Sequence, residues 1–128
     1  MNKRILMTAS ILGSIAVILG AFGAHGLKQL IDANELTIWA KGVEYQFYHV
    51  FALLFLSFFK SENYKLVKLS YGFFTFGIIL FSGSLYLLAT RTILEAGFIA
   101  YIGPVTPIGG LMLILGWVSL FWTALKNR

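Results

Sequence analysis

The feature that most constrains this chain is a set of long apolar segments without charged residues. A helix rises about 1.5 Å per residue and the hydrocarbon core of a bilayer is about 30 Å thick, so a membrane span needs about 20 apolar residues. Segments 5–24 and 69–90 reach that length without an Asp, Glu, Lys or Arg, and 96–125 is a third uncharged run. These segments predict that the chain crosses a membrane.

A fourth segment is shorter, because only 15 uncharged residues separate Glu44 from Lys60. It reaches the length of a span only by including residues 42–44. The last span is predicted to begin at Thr106, since threonine caps helices well and Pro107 would then occupy the first helical position. The predicted spans are 5–24, 42–59, 69–90 and 106–125.

The composition excludes the other classes of protein. Charged residues make up 12% of the 128 residues, against about 25% in soluble domains. A soluble protein of this size needs polar residues to cover its surface, so a soluble globular domain is excluded, as is a disordered chain. The chain has no cysteine, which excludes disulfides, thiolate metal sites and cysteine nucleophiles.

The Lys and Arg residues predict the orientation, because cytoplasmic connections carry the excess of positive charge. One side of the predicted four-span topology has Lys3, Arg4, Lys60, Lys65, Lys68, Lys126 and Arg128, and the other has Lys28, Lys41 and Arg91. Both termini are therefore expected in the cytoplasm. The net charge of +5 favours contact with anionic lipid headgroups at that face over nucleic acid.

The connection 27–42 alternates apolar and charged residues at near-helical spacing. This pattern predicts an amphipathic helix lying in the membrane interface, with Trp39 at headgroup depth; an irregular loop is the alternative. The predicted fold is therefore all-α, a single domain over 1–128. It is an integral membrane four-helix bundle with a short interfacial helix between spans one and two.

Small residues recur on the faces of the predicted spans, where they let helix backbones approach closely in lipid. In segment 5–24 they favour a retained span over a cleaved signal peptide. The glycines predicted to pack at helix crossings are Gly13, Gly20, Gly72, Gly83, Gly109 and Gly116.

The predicted topology brings the polar residues of all four spans to the outer half of the bundle. These residues are His25, Gln46, His49, Ser82, Ser84, Tyr86 and Thr106. A polar side chain that faces lipid has no water to satisfy it. We therefore expect one hydrogen-bonded cluster, formed by His25, His49, Ser82, Ser84 and Tyr86.

The histidines of this layer are open to three interpretations. They can donate structural hydrogen bonds across the bundle, contact a lipid headgroup or small ligand, or bind a metal ion. Glu44 is the obvious third metal ligand, but five residues place it about 140° from His49 around a helix. Glu44 is expected to face Lys41 and Tyr48 instead.

No established catalytic or cofactor-binding motif occurs in the sequence, and no charged residue lies near the middle of a predicted span. The sequence thus favours a non-enzymatic membrane protein with a structural or interaction role, without a cofactor. Its partners would be the lipid bilayer and a second copy or another membrane protein. The alternatives are a small oligomeric transporter or channel component, and a membrane enzyme or metal site that uses His25 and His49.

Five blocks of sequence carry a family resemblance. They are residues 20–27 (GAFGAHGL), Glu44-Tyr45-Gln46 with His49, residues 81–86 (FSGSLY), residues 106–110 (TPIGG) and Gly116-Trp117. In this order and spacing they resemble the small membrane proteins of domain of unknown function family 423, over about residues 5–125. The resemblance implies a four-helix bacterial inner-membrane protein with eukaryotic relatives, and it implies no known activity or cofactor.

Overall fold

The computed structural model describes residues 1–95 and 97–127, and all of the regular elements in these ranges are helices. Arg128, counted above among the cations, lies outside the described residues. Five α-helices follow one another: α1 (Lys3–Ala24), α2 (Ala33–Phe58), α3 (Tyr64–Ala89), the single-turn α4 (Arg91–Leu94) and α5 (Val105–Lys126). Short 3-10 turns occupy Leu27–Gln29 and Gly97–Ile102.

Polar side chains fix where the first three helices begin. The Asn2 side chain accepts a hydrogen bond from the backbone N–H of Ile5, and Asn63 accepts one from Leu66. Asp32 and Glu35 form a reciprocal capping box at the start of α2. Each cap satisfies a backbone donor that the first turn of a helix leaves free.

The long helices pack in chain order, α1 on α2, α2 on α3, and α3 on α5, with the α3–α5 contact the most extensive. The main core lies where these helices meet and includes Leu53, Leu56, Phe74, Ile78 and Leu113. Helix α3 thus packs on both α2 and α5, and all four long helices contribute residues to the main core.

Among the described residues, three helical segments are long and apolar enough to cross a membrane, namely α1 with its following turn, α3 and α5. Helix α2 is as long as α3, at 26 residues. Its first half carries Glu35, Lys41 and Glu44, which lowers its hydropathy.

The expected interfacial helix over 27–42 is not a separate element. Residues from Ala33 onward belong to α2, which continues without a break to Phe58. Trp39 is only 6% exposed, and its indole N–H donates to the Leu19 carbonyl at 2.9 Å. The indole packs against Gly23, where a Cβ would lie 2.6 Å from the ring, so Trp39 joins α2 to α1.

Helix α5 begins two residues earlier than predicted, because Pro107 was expected to be its first helical residue. Val105 is its first residue, Pro104 precedes it as the N-cap, and no side chain caps it. Pro107 is therefore the third helical residue, where its missing N–H still costs no intrahelical bond. Thr106 is not the cap because its hydroxyl pairs with Ser84 at 2.6 Å.

Hydrogen bonds show which connections lie at the same end of the molecule. The Asn2 N–H donates to the Ser57 carbonyl at 2.7 Å, and the Asn127 side chain donates to the Lys60 carbonyl at 3.1 Å. These bonds place the start of α1, the α2–α3 connection and the end of α5 together. At the opposite end, the Thr92 hydroxyl donates to the Glu35 carboxylate at 2.9 Å.

Candidate functional site

The predicted polar residues separate into distinct hydrogen-bonded groups and do not form one cluster. The first group joins α1, α2 and α3 through Gln46, which is buried. The Tyr86 hydroxyl donates to the Gln46 side-chain oxygen at 2.6 Å, and the Gln46 amide donates to the Leu12 carbonyl at 2.7 Å. Both ends of the Gln46 amide are therefore engaged inside the protein.

Ser82 belongs to a second contact, between α3 and α2. Its hydroxyl donates to the Gly42 carbonyl at 2.7 Å, not to His49 as expected. Gly42 makes the approach possible, because a Cβ there would lie 2.7 Å from the Tyr86 ring. Ser82 thus holds α2 and α3 together where their backbones are close.

Ser84 forms the third contact, between α3 and α5. Its hydroxyl pairs with Thr106 at 2.6 Å and lies 2.8 Å from the Phe81 carbonyl, to which it donates. One turn further along α5, Gly109 packs directly on the α3 backbone, since a Cβ there would lie 2.8 Å from the Phe81 Cα.

His49 is the most deeply placed ionisable residue of the predicted set. The Trp117 indole N–H donates to its Nε2 at 3.0 Å, so Nδ1 carries the proton and donates to the Tyr45 carbonyl at 2.7 Å. The rings of Tyr45, Phe74 and Trp117 lie around the imidazole, with centroids 5.7 to 6.3 Å away. His49 is 5% exposed, and both of its nitrogens are satisfied.

The depth of His49 differs from the sequence prediction. It lies nine residues before the end of α2, and Trp117 lies nine residues before the end of α5. At 1.5 Å per residue, both are about 14 Å from that end of the molecule. His49 therefore lies near the middle of the helices, whereas the sequence placed it in the first turns of a shorter span.

His25 does not join the layer. It ends α1 as an exposed residue and borders a shallow surface pocket with Lys28 and Gln29. His25 follows Gly23 by two residues, and Gly23 packs on Trp39. Because Trp39 and His49 are separated by about 15 Å along α2, the two histidines lie at different levels of the molecule. The structure therefore does not support a single metal or catalytic site made by His25 and His49.

In the part of the chain that the structure describes, no three His, Cys, Asp or Glu side chains are grouped so that they could hold a metal ion. Glu44 faces away from His49, as its spacing predicts. It pairs with Lys41 at 3.2 Å and accepts a hydrogen bond from the Tyr48 hydroxyl.

The predicted packing glycines differ in their surroundings. Gly72 and Gly83 do not lie at a close helix crossing, because a Cβ at either would have nothing within 4 Å. Gly116 packs tightly on Phe74, because a Cβ at Gly116 would lie 2.6 Å from the Phe74 ring. Gly13 and Gly20 approach valine side chains of α2, from which a Cβ at these positions would lie 3.3 and 3.4 Å away.

A lateral groove of about 850 Å³ opens between α2 and α5. The groove is the space left between α2 and α5, because both helices pack on α3. The two helices contact each other through the His49–Trp117 bridge. Helix α3 contributes Phe81. The other lining residues are Tyr45, Tyr48 and His49 of α2 and Pro107, Gly110, Leu111, Leu113, Ile114 and Trp117 of α5.

Several residues that shape these sites were not predicted from the sequence. Trp117 carries an N–H donor inside an apolar run, and a buried donor of this kind requires an acceptor, so it could have been paired with a histidine. Gly77 packs on Leu113, because a Cβ at Gly77 would lie 3.0 Å from the Leu113 backbone nitrogen. Glu35 is 3% exposed, and the spacing from Asp32 to Glu35 is a capping-box signal.

Comparison with known proteins decides the family. The model of a family described as protein of unknown function (DUF423) matches residues 19–110. The chain belongs to the DUF423 family. The matched segment includes Gln46, His49 and Ser82, and it ends before Trp117.

The relatives of this DUF423 chain match it along nearly its whole length. A UPF0382 membrane protein of Haemophilus influenzae is 38% identical over 128 residues, covering 100% of this chain and 98% of that protein. The UPF0382 membrane protein YwdK of Bacillus subtilis is 36% identical over 126 residues, covering 97% of this chain and 98% of that protein. No solved structure matches the chain. The chain is thus a member of a bacterial membrane-protein family of unknown function.

Proposed function

We propose that this chain is a four-span protein of the bacterial inner membrane that acts without catalysis, by binding lipid or partner helices at its apolar sides. The observation that carries the proposal is the pairing of the polar layer. Gln46, His49 and Tyr86 direct their polar atoms to partners inside the protein, as do the hydroxyls of Ser82 and Ser84. A layer satisfied in this way stabilises the helix contacts and leaves the apolar outer surface for recognition.

The packing of α2 supports a fourth span. Helix α2 lies between α1 and α3, both of which have the length and hydropathy of membrane spans. A helix held alongside two spans shares their depth. Its part from Gly42 to Phe58 has 17 residues, the lower limit of the range of about 17–25 that a membrane helix needs.

The distribution of charge supports an orientation with both termini in the cytoplasm. The end of the molecule that holds the start of α1 and the α2–α3 connection also carries most of the Lys and Arg residues. Four of the five acidic residues, Asp32, Glu35, Glu44 and Glu95, belong to the opposite half. This asymmetry is typical of a cytoplasmic face that contacts anionic lipids.

The outer faces of α1 and α5 support a role in lateral recognition. Large apolar side chains are exposed along both helices, among them Ile11 and Ile18 of α1 and Leu111 and Phe121 of α5. In a bilayer such faces contact acyl chains or a neighbouring helix. A second copy of the chain and another membrane protein are both suitable partners.

Reconstitution of the purified full-length chain into liposomes tests this function. We expect ion and small-solute flux to equal that of empty liposomes, the added phospholipids to remain chemically unchanged, and native mass spectrometry to detect retained lipid or a second copy. Selective flux would establish the transporter or channel alternative. Conversion of a phospholipid would establish an enzyme, and either result would overturn the proposal.

A further inference from the structure

The lateral groove between α2 and α5 has the features of a lipid-binding site. This inference rests on the proposed function and gives it a chemical specificity. We propose that the groove holds one acyl chain of an outer-leaflet phospholipid whose headgroup carries both a primary ammonium and a phosphate. The Lys41–Glu44 pair at its rim recognises that headgroup.

The dimensions of the groove match one lipid leaflet. Along α5 its lining extends from Pro107 to Trp117, ten residues or about 15 Å of helix. One leaflet contributes half of the hydrocarbon core of about 30 Å. The groove therefore begins at the first turn of α5 and ends near the middle of the membrane, as an acyl chain does.

The deep end of the groove presents no free polar group of the His49–Trp117 bridge. The indole N–H and both imidazole nitrogens are used within the bridge and by the Tyr45 carbonyl. The bridge therefore offers ring faces to the groove, and Ile114 adds aliphatic surface beside it. This end suits a hydrocarbon tail and not a headgroup.

A charged pair lies beside the groove and contacts its lining through Tyr48. Tyr48 lines the groove and donates its hydroxyl to Glu44, which pairs with Lys41 at 3.2 Å. The side chains of Lys41 and Glu44 are 56% and 41% exposed, so both remain accessible to a ligand. The rim thus offers one cation and one anion next to an apolar channel.

The level of this rim agrees with headgroup depth. The Gly42 carbonyl accepts from Ser82, and Ser84 pairs with Thr106. These bonds align the start of the proposed second span with the first turn of α5, the shallow end of that helix. Lys41 therefore lies where α5 begins, and Tyr45 and Tyr48, both partly exposed, are suited to the interface.

Charge complementarity selects the headgroup. The Lys41 ammonium can pair with a lipid phosphate while the Glu44 carboxylate pairs with a lipid ammonium. A glycerol headgroup brings the phosphate without the ammonium, so Glu44 would gain no cationic partner and would repel the lipid phosphate. We therefore expect phosphatidylethanolamine to be preferred over phosphatidylglycerol.

Photocrosslinking tests the groove directly. The full-length protein is reconstituted with phosphatidylethanolamine or phosphatidylglycerol that carries a diazirine in one acyl chain, and the labelled peptides are identified by mass spectrometry. We expect labelling at the groove residues of α2 and α5, stronger with the ethanolamine lipid. Glu44→Gln should reduce that preference about two- to fivefold, the range for a partly exposed ion pair.

A filled groove provides the matched comparison. A Cβ at Gly110 would lie 3.5 Å from the Phe81 ring, an ordinary contact, whereas one at Gly83 meets nothing within 4 Å. Gly110→Phe should abolish groove labelling, and Gly83→Phe, the same change at an open site on α3, should leave it intact. If Gly110→Phe fails to fold, Ile114→Trp places bulk in the same groove from an exposed position.

Each of the other possible outcomes would contradict one part of the proposal. Labelling that is spread over α1 and α5 and unaffected by both groove variants would overturn the groove site while leaving the proposed function in place. Equal labelling by the two lipids would overturn headgroup recognition. An unlabelled groove, together with a second copy retained in native mass spectrometry, would favour that copy as the occupant and overturn the lipid. Solute flux or lipid turnover in the same liposomes would overturn the proposed function itself.

Discussion

The contact between α3 and α5 depends on Gly109, and Gly109→Ala tests that dependence with a single methyl group. A Cβ at this position would lie 2.8 Å from the Phe81 Cα and 2.9 Å from the Leu80 carbonyl carbon. Both atoms belong to the α3 backbone, so they cannot move aside as the end of a flexible side chain can. The two helices must separate locally.

The size of the effect follows from that separation. Carbon atoms pack best at about 3.5–4.0 Å, so the methyl group is too close to the Phe81 Cα by about 0.7–1.2 Å. A gap of that size costs neighbouring contacts about a quarter to a half of their dispersion energy, along the most extensive helix contact in the molecule. Overpacking of this kind typically costs about 1–3 kcal/mol.

Gly83→Ala is the matched control, because a Cβ there meets nothing within 4 Å. Both variants replace a helical glycine and gain the same propensity, so their difference isolates the packing term. We expect Gly109→Ala to lower the free energy of unfolding by about 1–3 kcal/mol relative to Gly83→Ala. The measurement is unfolding in mixed micelles by increasing dodecyl sulfate, followed by circular dichroism. Equal stability of the two variants would refute the α3–α5 geometry.

Two further predictions concern topology and the buried histidine. The chain has no native cysteine, so single cysteines at Asn34 and Glu62, both exposed, can be probed in intact cells with a membrane-impermeant reagent. We expect position 34 to be labelled from outside and position 62 to remain unlabelled. The reverse pattern would contradict the orientation. In double-mutant cycles His49→Ala should couple with Trp117→Phe by about 0.6 kcal/mol, the usual value for an interhelical hydrogen bond, but not with Ser82→Ala. Coupling to Ser82 alone would show that the His49 hydrogen bonds are assigned incorrectly.

The three apolar helices could be predicted closely because length and hydropathy alone define them. Segment 69–90 lies almost wholly within α3, and segment 106–125 lies within α5. The start of α2 could not be found in this way. In its first turns, charged and apolar residues alternate as they do in an interfacial helix. Only the contact of Trp39 with Gly23 and Leu19 shows that these turns pack against α1.

The identity of the polar residues was predictable, but their partners were not. Sequence spacing gives the face of a helix on which a residue lies, and it leaves open the rotation and depth of the neighbouring helix. Ser82 therefore bonds to the Gly42 backbone, although a side-chain partner was expected. The same limit applies to glycine, since Gly83 and Gly109 were both predicted to lie at helix crossings and have opposite surroundings.

The groove and the stability of the fold depend on the same helix. Helix α3 holds α2 through Ser82 and holds α5 through Gly109, and the space between α2 and α5 is what remains. A change that moves α5 away from α3 therefore alters the width of the groove as well as the free energy of unfolding. Gly109→Ala should weaken lipid labelling of the groove along with stability, whereas Gly110→Phe should weaken labelling by filling the space. Comparing the two variants separates the shape of the groove from the packing that creates it.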